Sequence, residues 1–495
     1  MLLKKVAVCL LAMLLFCSCS AEGAEEHEGA LEENQPVISA QIQNKTESTA
    51  LVLAVGRNFA ETNPLQLKDE ASLAVLPLLY ETLVTVDASY HWQPELAAEI
   101  EQDGLEYIIT LKEAVFSDES AVRASDIVNS MNYAKETGTP WSESLSIVED
   151  CVTLTAQKVR ITLSEPHPDF ENLLTFPIIE EKNDGSWFGS GQYVLNCEKA
   201  DELFLEPNPT KNTASLERIE LKVLPNSEIL YDSLKIGSIS CIFDDLSSGE
   251  AMKLSERSET VEIGHLLFLG VNGKEGIMSE TAVRRAIHGS MDRQILVSRV
   301  YASKATAATT PFHPNFYRIS EEKFSALSRD EAQKLLQDSG LTKNAEGFYS
   351  TEEQDCLKLL YNSENAYRLQ TAELIQQQLE NICLKVELVG LPYEEYIAAL
   401  KAGEFDLYLG EMKIDASMDL SRLFEYGYGF AQGNAAQQVY RSYQQGNASA
   451  ELFLSVYQQN LPMIPLLYRQ GLVICKENVE GTVLSNPAEA FAAVK

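Results

Sequence analysis

The chain has 495 residues, and its 73 acidic and 39 basic side chains give a formal net charge of −34. A surface of this sign excludes nucleic acid and anionic lipid headgroups as the main partner, because phosphates are bound by lysine and arginine. Hydrophobic residues make up 45% of the chain, which excludes disorder throughout. At about 100–200 residues per domain, the length predicts about two to four domains.

The first residues are typical of an export signal. Lys4 and Lys5 precede an apolar run over residues 6–16, which suits the core of a signal peptide and is too short to span a bilayer. Ser18 then precedes Cys19, and a small residue before a cysteine at this place resembles a bacterial lipobox. We predict a lipoprotein signal peptide over 1–18 and lipidation of Cys19, with an ordinary secretory signal as the alternative.

Residues 19–50 are predicted to form a disordered acidic tether. Seven glutamates and one lysine, Lys45, lie between residues 20 and 50, and the apolar residues there show no period. Charge repulsion and low hydrophobicity keep such a segment extended. The pattern predicts a globular protein that is held near a membrane by its lipid.

Apolar spacing predicts alternating strands and helices over the rest of the chain. Strands are predicted at 51–55, 105–111, 152–155, 159–163, 217–224 and 239–243. Helices are predicted at 69–83, 125–135, 227–236 and, as one long helix, 281–301. Strands at 357–361, 386–389 and 405–409 alternate with helices at 366–382 and 393–400, which is typical of a parallel α/β unit.

The sequence carries no recognisable catalytic or metal-binding motif. It has no nucleophile elbow, phosphate-binding loop, dinucleotide fingerprint or H-E-x-x-H pair, so we expect neither an enzyme nor a cofactor or metal. Six cysteines beyond the leader are single and far apart, and we interpret them as free buried thiols. One disulfide remains possible in an exported protein. They are Cys151, Cys197, Cys241, Cys356, Cys383 and Cys475.

Short motifs in a fixed order make the chain similar to a known family. They are NPL (63–65), LYETLV (79–84), FSD (116–118), GSGQYVL (189–195), VRRAI (283–287), FDL (405–407) and PMIPL (462–466). Each motif is weakly specific, but the ordered set resembles the family-5 extracellular solute-binding proteins. These are the peptide-, dipeptide- and nickel-binding receptors of ABC importers.

The resemblance implies a fold of the α/β class. This is a two-lobed fold like that of the class II periplasmic binding proteins, with an extra inserted α+β subdomain near the N-terminus. Lobe I would comprise 51–85, 185–268 and 462–495, the inserted subdomain 86–184, and lobe II 269–461. Two crossing segments near 266–272 and 459–466 would form the hinge, about which the lobes close as rigid bodies.

The resemblance also implies a function. A monomeric, lipid-anchored receptor on the extracytoplasmic face of the membrane would capture oligopeptides or dipeptides by lobe closure. It would deliver them to an ABC transporter permease, with no nucleic acid as partner. The alternatives are the same fold binding another solute, such as a nickel chelate or a sugar, and a sensory receptor that has lost transport.

Six residues are candidates for contact with the ligand. A carboxylate would hold the α-ammonium of a peptide, because a desolvated charge must be paired. Asp415 fits this role by its position after the FDL motif, and Asp419 is the second candidate; a helix cap or a surface acid is the alternative for each. Val271 and Asn272 would offer backbone and amide groups. Asn58 and Asn63 would line the same cleft, or belong to a plain loop.

Overall fold

The computed structural model describes residues 51–182, 185–199, 202–224, 227–247, 257–320, 326–428 and 434–476, with Val479 and Phe491. These residues belong to one unit that spans 49–495. The predicted signal peptide (1–18), Cys19 and the predicted tether (19–50) lie outside the described residues. Within the described ranges, no helix is both long and apolar enough to cross a membrane.

Eleven α-helices form within these ranges. They are α1 (Glu70–Leu79), α2 (Ala124–Ala134), α3 (Ser227–Ile236), α4 (Thr281–Ser290), α5 (Arg293–Arg299), α6 (Arg329–Asp338), α7 (Ala366–Asn381), α8 (Tyr393–Ala402), α9 (Ser421–Tyr426), α10 (Ala435–Gln444) and α11 (Ala450–Asn460). Several begin at a side chain that accepts hydrogen bonds from the first free backbone N–H groups, as Asn365 does for α7 and Ser449 for α11. Short 3₁₀ helices lie at Pro64–Gln66, Ser144–Ile147, Phe170–Leu173 and Ile277–Ser279.

The described part of the chain also contains twenty-one strands. They are β1 (Leu51–Val55), β2 (Val84–Val86), β3 (Trp92–Pro94), β4 (Ala97–Asp103), β5 (Glu106–Leu111), β6 (Val148–Thr155), β7 (Lys158–Leu163), β8 (Glu180–Glu181), β9 (Trp187–Phe188), β10 (Tyr193–Cys197), β11 (Leu203–Pro207), β12 (Ile219–Val223), β13 (Cys241–Asp244), β14 (Arg257–Val271), β15 (Ala305–Ala307), β16 (Thr342–Lys343), β17 (Tyr349–Ser350), β18 (Leu357–Asn362), β19 (Val386–Leu391), β20 (Leu407–Lys413) and β21 (Met463–Cys475).

An 11-stranded sheet connects two parallel α/β blocks. In one block β1 pairs in parallel with β12 and β13. In the other block β18 pairs in parallel with β19 and β20, which confirms the α/β unit predicted over 357–409. The long antiparallel pair of β14 and β21 joins them, since β21 borders β13 and β14 borders β20. We call this pair the central ribbon.

The central ribbon carries two register shifts, between Glu262 and His265 and between Leu267 and Phe268 of β14. Gly264 lies in the first shift with φ at 70°, and a Cβ atom there would come within 2.4 Å of the Ile414 carbonyl oxygen. Glycine is therefore required at this position by both conformation and space.

A smaller antiparallel sheet, β4-β5-β7-β6, lies outside the central sheet. Its inner strands alternate buried and partly exposed residues, as in β5 and β7, because an antiparallel sheet can bury one face and expose the other. The hairpin predicted at 152–155 and 159–163 is confirmed as part of β6 and β7. We call residues 97–163 the small-sheet region.

Side chains on the two faces of β14 enter different hydrophobic cores. Leu267 and Leu269 pack with α4, α5 and α7 in one core, whereas Leu266 and Phe268 pack with α8, α10 and α11 in another. This follows from the two-residue period of a strand. A third core holds β1, α1 and the small-sheet region together.

Two helix predictions require correction. The segment 281–301 forms two helices, α4 and α5, because Asp292 is extended and its carboxylate accepts a hydrogen bond from the Ile295 backbone N–H at 3.1 Å. The helix predicted over 69–83 ends at Leu79. Its last predicted residue, Leu83, accepts backbone hydrogen bonds from Glu95 and Ala97 instead.

The interpretation of six free buried thiols is wrong. Cys241 of β13 and Cys475 of β21 form a disulfide across directly paired positions, with Cα atoms 4.2 Å apart. The other four are free, but Cys197 is exposed and Cys151, Cys356 and Cys383 are partly exposed.

Candidate functional site

A cavity of about 1490 Å³ lies where three parts of the chain meet. The β1 wall comprises the end of β1, the start of α1 and residues 243–247, which are the end of β13 and the residues that follow it. The loop wall comprises residues 135–147 and 165–167, and the α10 wall comprises residues 413–425 together with α10. The first wall follows from topology, because the carboxyl ends of neighbouring parallel strands leave a crevice that ligands occupy.

The α10 wall presents Asp415 and Asp419. The Oδ1 atom of Asp415 accepts hydrogen bonds from the Ser417 backbone N–H at 3.0 Å and hydroxyl at 2.5 Å. Its Oδ2 atom accepts a hydrogen bond from the Ser144 hydroxyl of the loop wall at 2.6 Å. Both oxygens of this carboxylate therefore have donors from the protein itself.

Asp419 is held by α10 and the start of α9. Its Oδ1 atom accepts from the Tyr440 hydroxyl at 2.7 Å, the Gln444 amide at 3.2 Å and the Ser421 backbone N–H at 3.0 Å. Burial, then the charge of Asp419, raises the pKa of Tyr440 well above its usual value, so this phenol keeps the proton it donates. The Oδ2 atom of Asp419 accepts no hydrogen bond from the described residues.

Three contacts cross the cavity and tie its walls together. Lys413 of the α10 wall pairs with Glu70 of the β1 wall at 2.5 Å. Arg422 of the α10 wall pairs with Glu143 of the loop wall at 2.8 Å, beside the hydrogen bond from Ser144 to Asp415. Both ion pairs are partly exposed, so each contributes at most about 1 kcal/mol.

The β1 wall contributes its own pair of carboxylates, Asp244 and Asp245. Asp244 is buried and accepts hydrogen bonds from the Tyr231 hydroxyl and, at 2.7 Å, from the Leu246 backbone N–H. Burial, reinforced by the charge of Asp245, raises the pKa of Asp244. Asp245 is half-buried, and its Oδ1 atom accepts from the Ser247 backbone N–H at 2.9 Å.

A buried ionic cluster lies next to the cavity on the central ribbon. Glu411 of β20 accepts hydrogen bonds from Arg469 of β21 at 2.8 Å, Arg368 of α7 at 2.6 Å and His265 of β14 at 2.8 Å. Burial alone would raise the pKa of Glu411, but Arg368, His265 and Arg469 outweigh it and hold the pKa well below its usual range. Of these residues, His265 reaches the cavity lining.

The structure brings together two of the six predicted ligand contacts. Asp415 and Asp419 line the cavity, whereas Val271, Asn272, Asn58 and Asn63 do not. Asn272 is buried, and its side-chain amide donates a hydrogen bond to the Phe405 carbonyl at 3.1 Å. His265, in the middle of β14, pairs with Lys413 at the cavity end of β20, whereas Val271, the last residue of β14, pairs with Leu407 at the opposite end of β20, roughly 20 Å away along the strand.

Asn58 and Asn63 organise the loop between β1 and α1. The Oδ1 atom of Asn58 accepts from the Ala60 backbone N–H at 3.0 Å, and that of Asn63 accepts from the Leu65 backbone N–H at 2.9 Å. Both bonds fix local turns of the chain. The ends of this loop, at Gly56 and Asp69, do reach the cavity.

Sequence reasoning missed the loop wall and α10. The sequence did contain a signal for α10: the polar residues Gln437, Tyr440 and Gln444 are spaced so that they share one face of a helix, and this face lines the cavity. Glu143 and Ser144 had none, since they lie at the start of a short 3₁₀ helix with no motif. Across the described ranges, no three His, Cys, Asp or Glu side chains are grouped so that they could hold a metal ion.

This is an α/β protein with a large cavity whose walls are connected by the central ribbon. These are the features of a receptor that binds a ligand between its parts. Comparison with known proteins identifies the family. Residues 91–434 match the bacterial extracellular solute-binding proteins, family 5 (middle). The chain belongs to this family, whose members are non-enzymatic solute-binding proteins of ABC importers. The two-lobed α/β fold class expected from the resemblance is confirmed.

Individual relatives are similar over most of the chain. A probable deoxycholate-binding periplasmic protein, YgiS of Escherichia coli K12, is 23% identical over 486 residues and covers 86% of this chain and 89% of its own length. The periplasmic oligopeptide-binding protein OppA of the same organism is 24% identical over 413 residues, covering 73% and 74%. The unliganded open form of the periplasmic murein tripeptide-binding protein MppA superposes with a TM-score of 0.74 at 18% identity, covering 90% and 97%.

Proposed function

We propose that this protein is a lipid-anchored extracytoplasmic receptor that captures oligopeptides and hands them to an ABC transporter permease. The observation that carries the proposal is the cavity, which brings carboxylates from opposite walls into one space of about 1490 Å³. Sites for drug-sized molecules occupy about 300–1,000 Å³, so the volume favours a larger, elongated solute. The names of OppA and MppA, which specify oligopeptide and tripeptide, support the same class.

The proposal includes the division into lobes. With lobe I at 51–85, 185–268 and 462–495, the inserted subdomain at 86–184 and lobe II at 269–461, the β1 and loop walls belong to lobe I and its insert. The α10 wall then belongs to lobe II. A ligand in the cavity would touch both lobes, and its binding energy would favour the closed arrangement of the lobes. The central ribbon would carry the hinge.

Asp415 and Asp419 are the proposed contacts for the α-ammonium group of the peptide. Asp419 keeps one oxygen without a hydrogen bond from the described residues, whereas Asp415 is bonded at both oxygens. We therefore assign the direct contact to Asp419. Asp415 would act at the boundary between the lobes, where it already contacts Ser144.

A ligand screen tests this function. The melting temperature should rise by several degrees with saturating tri- to octapeptides, because a ligand that binds the native state stabilises it. The same screen includes deoxycholate, nickel–histidine and simple sugars as competing ligand classes. A rise with one of those ligands and with no peptide would replace the peptide assignment.

The lipid anchor is tested separately. Mature protein from a bacterial host should begin at Cys19 and carry acyl chains in its intact mass. It should also fractionate with membranes, because two or three acyl chains anchor stably. The Cys19→Ala variant should lose the acyl mass and leave the membrane fraction. Unmodified protein that begins at another residue would show an ordinary secretory signal.

A further inference from the structure

The lining of the cavity is acidic beyond what its own basic residues can neutralise. Nine of its side chains are Asp or Glu and five are Lys or Arg. Two of the acidic residues form ion pairs with basic residues of the same lining: Glu70 pairs with Lys413, and Glu143 pairs with Arg422. Seven acidic side chains then face three basic ones.

Hydrogen bonds inside the cavity do not change this balance. Asp244, Asp415 and Asp419 accept their bonds from hydroxyl groups, amides and backbone N–H groups. Such donors stabilise a carboxylate without neutralising its charge. The charge of Arg469, behind the lining, acts on Asp244 and Asp245, but Arg469 is itself paired with Glu411. Charges that are removed from water must be balanced by a counter-charge, and a ligand that fills the cavity is placed to supply it.

Two of these carboxylates lie on opposite walls and retain a free oxygen. Asp245 of the β1 wall accepts one hydrogen bond from the described residues, from the Ser247 backbone N–H to Oδ1. Asp419 of the α10 wall has all its donors on Oδ1. Within the described residues, the Oδ2 atoms of both side chains accept no hydrogen bond. An extended ligand between the walls therefore meets one acceptor at each side.

The charge of the whole chain acts in the same direction. A net charge of −34 creates a negative potential that raises the local concentration of cations and speeds their association. This observation is independent of the cavity lining, and it predicts that ligand capture slows as salt screens the field.

We infer that the receptor selects cationic peptides, with Asp419 taking the α-ammonium group and Asp245 taking the ammonium or guanidinium group of a lysine or arginine side chain. The inference rests on the proposed peptide-binding function. Polyamines share the primary-ammonium chemistry but lack a peptide backbone, so the test separates these two sources.

The test is calorimetric titration of the mature protein with spermidine and with four tripeptides: Ala-Ala-Ala, Ala-Lys-Ala, Ala-Glu-Ala and Ala-Lys-Ala acetylated on the lysine side chain. We expect Ala-Lys-Ala to bind about tenfold more tightly than Ala-Ala-Ala, Ala-Glu-Ala to bind more weakly, and acetylation to remove the gain; tenfold corresponds to about 1.4 kcal/mol. Raising the salt concentration should shrink the preference. The Asp245→Asn variant should lose most of it, whereas Glu101→Gln, which changes an exposed acid of β4, should retain it.

The outcomes separate the inference from the function it rests on. Equal affinity for Ala-Lys-Ala and Ala-Ala-Ala would overturn the charge selection and leave peptide binding intact. A lysine preference that survives in Asp245→Asn would overturn the role of Asp245. Binding of spermidine with no binding of any tripeptide would support cation selection and overturn the peptide function.

Discussion

The Ser144 hydroxyl donates a hydrogen bond of 2.6 Å to the Asp415 carboxylate across the cavity. These residues are 271 positions apart in the chain and belong to the loop wall and the α10 wall. The bond can exist only while these two walls are close together. If the lobes move as proposed, it would contribute to the closed arrangement that a ligand would also favour.

Replacing Ser144 by alanine should weaken peptide binding about fivefold. The change removes one hydrogen bond to a carboxylate, worth about 1 kcal/mol, from the arrangement in which the walls meet. Titration calorimetry with a tripeptide measures the effect. Ser298→Ala, which removes an exposed helical serine from α5, is the matched control and should bind as the parent does. Unchanged affinity in Ser144→Ala would show that the bond does not contribute to closure.

Replacing Asp415 by alanine should weaken peptide binding more than Ser144→Ala does. The variant loses the bond from Ser144, the two bonds from Ser417 and a negative charge of the cavity. A double-mutant cycle of Asp415→Ala with Ser144→Ala isolates the part that passes through Ser144. If Asp415→Ala has no further effect in the Ser144→Ala background, Asp415 acts through the loop wall alone. If binding is unchanged in both single variants, neither residue contributes to capture.

Replacing Glu411 by glutamine should lower the free energy of unfolding by about 3 kcal/mol. Glu411 is the carboxylate that pairs with Arg368 and Arg469, and its loss leaves the buried Arg469 and the partly buried Arg368 without a counter-charge. Urea denaturation measures the change. Glu373→Gln, an exposed position of α7, serves as the control. A loss below about 1 kcal/mol would show that water or a shift of the arginines replaces the carboxylate.

His288 should make the protein less stable as the pH drops below about 6.5. Burial, then the nearby charge of Arg293, lowers the pKa of His288 to about 3, while the unfolded chain binds a proton at its ordinary pKa near 6.5. Below that pH the unfolded state binds more protons, so acid favours unfolding. The contribution at pH 5 is about 2 kcal/mol.

The His288→Gln variant isolates this effect. Its amide can still donate a hydrogen bond to the Thr309 carbonyl, which the His288 ring contacts at 3.0 Å. Denaturation at pH 7 and pH 5 should show a smaller pH dependence for the variant than for the parent. Equal dependence in both proteins would contradict a neutral buried imidazole.

Removing the disulfide should lower the free energy of unfolding by about 2–4 kcal/mol. Cys241 and Cys475 are separated by 234 residues, so their bond restricts a long segment of the unfolded chain. The double variant Cys241→Ala with Cys475→Ala is compared with Cys197→Ser, which alters an exposed free thiol. If reductant changes the parent no more than the double variant, the disulfide does not stabilise the protein.

Helices and strands were predicted well where a single element coincides with one continuous pattern of apolar residues. The run Leu51–Val55 and the helix Ser227–Ile236 were found at their observed bounds, because their apolar spacing is local information. The break between α4 and α5 was missed, since the hydrophobic pattern continues through it. The Cys241–Cys475 bond depends on β13 and β21 lying side by side, a relationship that only the folded sheet creates.

The candidate site divides in the same way. Asp415 and Asp419 were found because they follow a strand that could be placed in the α/β unit. Glu143 and Ser144 lie at the start of a short 3₁₀ helix that reaches the cavity through tertiary packing, and spacing carries no information about such contacts. Asn272 was placed by its position after the last residue of β14, but the cavity reaches this strand at His265, in its middle.

The central ribbon would limit how far the two proposed lobes can move relative to each other. Its two strands are paired over 12 residue positions, so the proposed lobes are connected by regular sheet structure and not by a flexible linker. If the lobes open as proposed, the ribbon would have to twist, and its two register shifts would be the places that deform most easily. The lobes would then open over a short range against the resistance of the ribbon to twisting. A more rigid backbone at the register shift around Gly264 would change the dissociation rate of a bound ligand.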